Sequence, residues 1–274
     1  MTSSEADSSR TVHVGPARVR IRTQGTGEPL VLLMGIGGHL DMWQPLTERL
    51  LLPGRQLVSF DFPGTGASSL PWFPPTMAHS ALFVRLLMRK LRLSRADVLG
   101  YSWGGLLAQQ LAAQHPRVVR RLVLACTGPG VLCVPADLRV AARLLTPRRY
   151  YSPDYLRKIA ADTYGGRFRR DPKLVDGEVA ARTSHPPSWP GYAFQLVAAS
   201  TFSTFAVAPL IKSDALILGG GDDPIVKTKN QLILHRLIKG SALQIVEEAG
   251  HLVLLDSPEK MAPIIDGFLT NPPQ

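Results

Sequence analysis

The sequence predicts an α/β fold: a mostly parallel central sheet flanked by helices, interrupted by an inserted, mainly helical lid. Three observations predict it. Strand-like and helix-like segments alternate up to Ala125 and again from Ala215, which is the pattern of βαβ units. Several strand segments, such as Pro29 to Met34, are continuously apolar, as befits strands buried on both faces. Between Thr127 and about Ala208 the rhythm breaks, and the chain becomes rich in Pro, Tyr and Arg.

In chain order, Thr11 to Val14 and Ala17 to Thr23 flank Gly15-Pro16 and read as an antiparallel hairpin. The run Pro29 to Met34 is a buried strand ending in the glycine-rich loop Gly35 to Gly38. Asp41 to Leu51 has helical character, with Pro45 tolerable in a first turn. Leu57 to Phe60 is a short strand ending at Asp61, followed by a Pro/Gly/Ser loop. Apolar spacing at Leu82, Leu86, Leu87 and Leu91 predicts a helix over Met77 to Leu91. Ala96 to Gly100 is a strand, Gly104 to Gln114 a helix and Leu122 to Ala125 a strand. Pro153 to Tyr164 is a helix of the inserted segment. After it come a strand at Ala215 to Leu218, a helix at Thr228 to Ile238 and a strand at Leu243 to Val246. The last helix, Pro258 to Leu269, opens on a proline. This divides the chain into a disordered leader (1–10), a core (11–126 and 209–274) and a lid, or cap (127–208).

Composition narrows the function classes. The chain has 274 residues, 45% of them hydrophobic, enough for a substantial core. No apolar run reaches the ~18 residues of a membrane span, and Met1 to Arg10 lacks the apolar stretch of a secretory signal. The two cysteines, Cys126 and Cys133, make no disulfide framework, and no Cys/His spacing resembles a zinc site. The net charge of +10 admits an anionic partner. The basic residues are spread out, however, with one local run at Arg167, Arg169 and Arg170 that reads as a solvated face. No stacking-aromatic RNA motif accompanies them. No cofactor, metal or nucleic acid is expected.

The chemistry-bearing signal is Gly100-Tyr101-Ser102-Trp103-Gly104, a G-x-S-x-G between a strand and a helix. A sharp strand-to-helix turn raises the Ser102 hydroxyl above the sheet, and side chains at Gly100 and Gly104 would crowd it. Serine needs a base. Of seven histidines, His251 alone follows the last strand and precedes the last helix, where reactive groups gather in α/β sheets. A carboxylate must orient that base. Asp222 and Asp223, after the strand Ala215 to Leu218, both compete for the role. The backbone N–H groups of Trp103 and of Ile36, in the Gly35 to Gly38 loop, are the expected oxyanion hole. That loop has neither a P-loop ending nor a G-x-G-x-x-G pattern, so it is not read as a phosphate cradle. Asp61 lacks an elbow of its own and reads as structural.

These motifs resemble the α/β-hydrolase superfamily, in which the chain order is Ser, then acid, then His. Within it, Gly35-Ile-Gly, Gly100 to Gln110, Pro147-Arg-Arg-Tyr150, Tyr164 to Pro172, Gly221-Asp-Asp-Pro-Ile225 and Gly250-His-Leu252 look like the intracellular medium-chain-length poly(3-hydroxyalkanoate) depolymerases. The resemblance runs from about residue 11 to residue 269, and the inserted-segment motifs are its specific part. It implies a Ser102–His251–Asp223 triad, Asp223 being the aspartate before Pro224. It implies an acyl-enzyme hydrolysis of stored polyester in the cytoplasm, at storage granules, under a lid. Tyr101, Met34 and Lys227 depart from the family's usual residues. Of the lid aromatics Tyr150, Tyr151, Tyr155, Phe168, Trp189 and Tyr192, most are expected to serve packing. The alternatives are a small-molecule carboxylesterase or lipase on the same fold, and a non-catalytic ligand-binding protein of that fold.

Overall fold

The computed structural model describes residues 9–270. Eight strands form one sheet in the order β1-β2-β4-β3-β5-β6-β7-β8. They are β1 (Arg10–Val14), β2 (Ala17–Gly25), β3 (Glu28–Leu33), β4 (Arg55–Phe60), β5 (Ala96–Tyr101), β6 (Val119–Ala125), β7 (Asp214–Gly220) and β8 (Ala242–Val246). β1 pairs antiparallel with β2, and β2 antiparallel with β4. All other pairings are parallel. The expected leader lies outside the described residues over 1–8. Its last residue, Arg10, belongs instead to β1, because its backbone pairs with Ile21.

The core helices are α1 (Gln44–Leu50), α2 (Met77–Lys90) and α3 (Trp103–Gln114). The helix expected over Asp41 to Leu51 begins as a 3₁₀ turn, Leu40–Trp43, and becomes α-helical at Gln44, with Pro45 in the first turn. Between β6 and β7 lie α4 (Leu138–Leu144), α5 (Arg148–Tyr151), α6 (Pro153–Tyr164), α7 (Arg167–Arg170), α8 (Lys173–Ser184), α9 (Trp189–Ser200) and α10 (Thr204–Val207). The chain then completes the core with α11 (Thr228–Leu237), α12 (Val253–Asp256) and α13 (Pro258–Thr270). Among the described residues no helix is long and apolar enough to cross a membrane.

Continuous apolar strands oblige the sheet to bury both faces, and it does. Val31, Val98, Leu122 and Leu124 pack on one side with α2 and α3. Leu30, Leu32, Leu99 and Val123 pack on the other with α1, α13 and the inserted helices α6 and α8. The inserted segment therefore shares a core with the sheet. Leu99, fully buried in β5, tests that core. Leu99→Ala is expected to lower the unfolding free energy by about 2–5 kcal/mol, read from urea denaturation; a loss under about 1 kcal/mol would mean the site collapses freely.

Candidate active site

The site is built at the carboxyl ends of β5, β7 and β8. β5 runs into α3 through Ser102, whose backbone sits at φ 54°, ψ −117°. A non-glycine residue holds such a conformation only where its surroundings impose it. Here the Ser102 amide donates to the Ala125 carbonyl at 2.9 Å, and the Thr127 hydroxyl donates to the Ser102 carbonyl at 2.8 Å. The turn is tight because glycines allow it. A Cβ on Gly104 would stand 2.0 Å from the Leu33 oxygen, and one on Gly100 would stand 2.4 Å from the Gly104 oxygen.

The loops after β7 and β8 bring two further predicted residues to this turn. His251 Nε2 lies 3.1 Å from Ser102 Oγ, and its Nδ1 lies 2.8 Å from Asp223 Oδ2. The His251 and Asp223 side chains are almost wholly out of solvent. The other Asp223 oxygen accepts the Ile225 and Val226 amides at 2.8 and 2.9 Å, which fixes the carboxylate's orientation. Asp222 faces elsewhere. It accepts the Gly166 amide at 2.7 Å and pairs with Arg169 at 3.2 Å, tying the inserted segment to the loop after β7. The geometry can move a proton from Ser102 to an imidazole held in one tautomer.

Ile36 and Trp103, the expected oxyanion donors, both line the space beside Ser102. Two side chains whose roles the sequence did not show hold this loop, and a third, Tyr101, holds His251. Tyr150 donates its hydroxyl to the Ile36 carbonyl at 2.6 Å. Gln195 Oε1 accepts the Gly37 amide at 2.7 Å, while the Gln195 carbonyl accepts the Trp103 indole N–H at 2.8 Å. Tyr101 donates its hydroxyl to the His251 carbonyl at 2.9 Å, and its ring lies 5.4 Å from the imidazole. Burial pushes the Tyr101 phenol well above its ordinary range, so it stays a neutral donor. Motif membership could have flagged Tyr150. Gln195 sits in an apolar helix with no motif, and only the fold reveals it.

The Arg167–Arg170 run is exposed at Arg169 and Arg170, as its charge suggested, and it is also tied down. Arg167 donates to the Asp256 carbonyl, Arg169 pairs with Asp222, and Arg170 donates to the Glu248 carbonyl. The run clamps the inserted segment to the loops around His251. A Cβ on Gly166, at φ 51°, would lie 2.1 Å from the Gly250 nitrogen. Gly166→Ala is therefore expected to displace the His251 loop and cut kcat about a hundredfold in folded protein. Unchanged kcat with normal circular dichroism would show that the loop yields freely.

Two cavities meet at Ser102. One is narrow, about 40 Å³, and reaches Arg149, Tyr150, Tyr164 and Arg182. The other is larger, about 280 Å³, and is walled mainly by apolar side chains, among them Leu106, Val131, Leu144, Leu196 and Ile225.

The chain is similar to known hydrolases in sequence and in fold. The sequence is 36% identical to a poly(3-hydroxyalkanoate) depolymerase of Ectopseudomonas oleovorans over 241 residues, 88% of this chain and 84% of that protein. It is 28% identical to a 2-hydroxy-6-oxo-2,4-heptadienoate hydrolase of Pseudomonas putida, over 98% of this chain and 99% of that one. In structure it resembles the enol-lactonase of Burkholderia xenovorans LB400, with a TM-score of 0.82 at 22% identity, covering 96% of this chain and all (100%) of that one. An esterase of Exiguobacterium antarcticum superposes with a TM-score of 0.79 at 22% identity, covering 93% and 96% of the two chains. At those identities the two structures speak to the fold alone. Residues 28–258 match the family described as alpha/beta hydrolase fold, and with that match, the sheet order and the elbow at Ser102, the chain belongs to the α/β-hydrolase fold family.

Proposed function

We propose that this ester hydrolase cleaves medium-chain-length poly(3-hydroxyalkanoate) through an acyl-enzyme on Ser102. The observation that carries the reading is the hydrogen-bonded series Ser102–His251–Asp223 opening onto a large apolar cavity. The 36% identity to a poly(3-hydroxyalkanoate) depolymerase supports the polyester as substrate.

In this reading His251 Nε2 takes the Ser102 proton as Oγ attacks the ester carbonyl. Asp223 holds the Nδ1–H and stabilises the imidazolium. The amides of Ile36 and Trp103 receive the oxyanion. The acyl C–O bond breaks, the leaving oxygen takes the proton from His251, and water attacks the acyl-enzyme with His251 again as base. The apolar cavity takes the alkyl side chain. Residues 127–208 form a lid over the site, and the polymer is an intracellular store met at its granule surface. Burying one more CH₂ contributes about 0.8 kcal/mol, so kcat/KM should rise about fourfold per carbon until the cavity is full.

Turnover of medium-chain polyester emulsion, compared with short-chain polyester and with soluble p-nitrophenyl esters, tests this. Release of 3-hydroxy acids from the medium-chain polymer is expected. If p-nitrophenyl esters are cleaved while both polymers stay intact, a small-molecule carboxylesterase replaces the depolymerase.

A further inference from the structure

The narrow cavity beside Ser102 is lined by charge that the triad does not use. Arg149 and Arg182 are both buried to 4% exposure or less. Arg182 pairs with Glu178 and donates to the Tyr150 hydroxyl at 2.7 Å. Arg149 has no carboxylate partner among the described residues. It donates to the Tyr192 hydroxyl at 2.8 Å and to two backbone carbonyls at 3.4 Å, and its Nε is buried without a partner. The Tyr164 hydroxyl, on the same cavity wall, is likewise buried and unpartnered. Burial pushes the Tyr164 phenol up to about 12 and raises that of Tyr192, so neither supplies negative charge at neutral pH. Two guanidinium groups therefore face one carboxylate, and the wall carries a net positive charge.

A buried cation without a counter-ion is costly, as are buried polar groups without partners. A bound anion relieves all three deficits. The cavity is small, about 40 Å³, room for a few water-sized groups, and a carboxylate fits it. Because the same cavity touches Ser102 and His251, that carboxylate belongs to the molecule being cleaved.

We infer that Arg149, with Tyr164 and Arg182, forms a subsite for the free carboxylate of a 3-hydroxyacyl leaving group. This rests on the polyester reading and gives it a direction. In such a chain the terminal carboxylate lies two carbons beyond the last ester oxygen, on the alcohol side. The chain would then be shortened from its carboxyl end, its last acyl C–O bond breaking and the leaving oxygen taking the His251 proton to depart as a free 3-hydroxy acid. The alkyl side chain of the acyl unit would lie in the larger apolar cavity.

Inhibition of p-nitrophenyl octanoate hydrolysis by 3-hydroxyoctanoate, measured beside its methyl ester, tests the subsite. The free acid is expected to bind at least about tenfold more tightly than the ester, the worth of a charge-assisted hydrogen bond. In Arg149→Met that ratio should fall to about one, and in Tyr164→Phe by about threefold. Both inhibitors are measured on one preparation, so the ratio is insensitive to the fraction folded. If Arg149→Met yields no folded protein, Tyr164→Phe decides. Equal inhibition by acid and ester in the unmodified enzyme overturns the subsite, as does a ratio unchanged in Arg149→Met or, failing that, in Tyr164→Phe. Polymer cleavage without acid preference would overturn the subsite and leave the polyester reading standing. Acid preference with the polymer left intact would do the reverse.

Discussion

Ser102→Ala is expected to lower kcat on any ester by about 10⁶-fold while leaving the protein folded. The hydroxyl lies 3.1 Å from His251 Nε2, and without it the imidazole has no proton to take. Members of such a unit act together, so their losses do not add. The double variant Ser102→Ala, His251→Ala should be scarcely slower than Ser102→Ala alone. The check is kcat on p-nitrophenyl octanoate, with circular dichroism to verify folding. Near-native turnover in folded Ser102→Ala would remove Ser102 from the mechanism.

Asp223→Asn is expected to lower kcat about 10⁴-fold, because an amide cannot hold the imidazole in the needed tautomer. Its neighbour should behave otherwise. Asp222 accepts the Gly166 amide and pairs with Arg169, so Asp222→Asn should cost stability, about 1–3 kcal/mol, and less than tenfold in kcat. Paired measurements of kcat and urea midpoint separate the two. A larger kcat loss in the Asp222 variant would transfer the orienting role to it.

How much of this was legible in the sequence depended on whether the cause was local. The strands were legible because their apolar runs are continuous, and the elbow because steric crowding demands glycine at fixed offsets. The choice between Asp222 and Asp223 was not settled by spacing alone: both leave the same loop, and only the resemblance favoured the residue before Pro224. The roles of Tyr150 and Gln195 were not legible either. Each reaches across 114 and 158 residues respectively to the loop at Ile36 and Gly37, and no local pattern encodes such a pairing. The arginine run was legible as exposed charge but not as a clamp, because its partners, backbone carbonyls among them, are supplied by loops distant in sequence.

The amide of His251 donates to the Tyr164 carbonyl at 2.8 Å, at the end of α6. The base is thus seated by a helix that is made before β7, α11 and β8 have left the ribosome. Because α6 shares a core with the sheet, whatever frees α6 from that core should also unseat His251 and silence the enzyme.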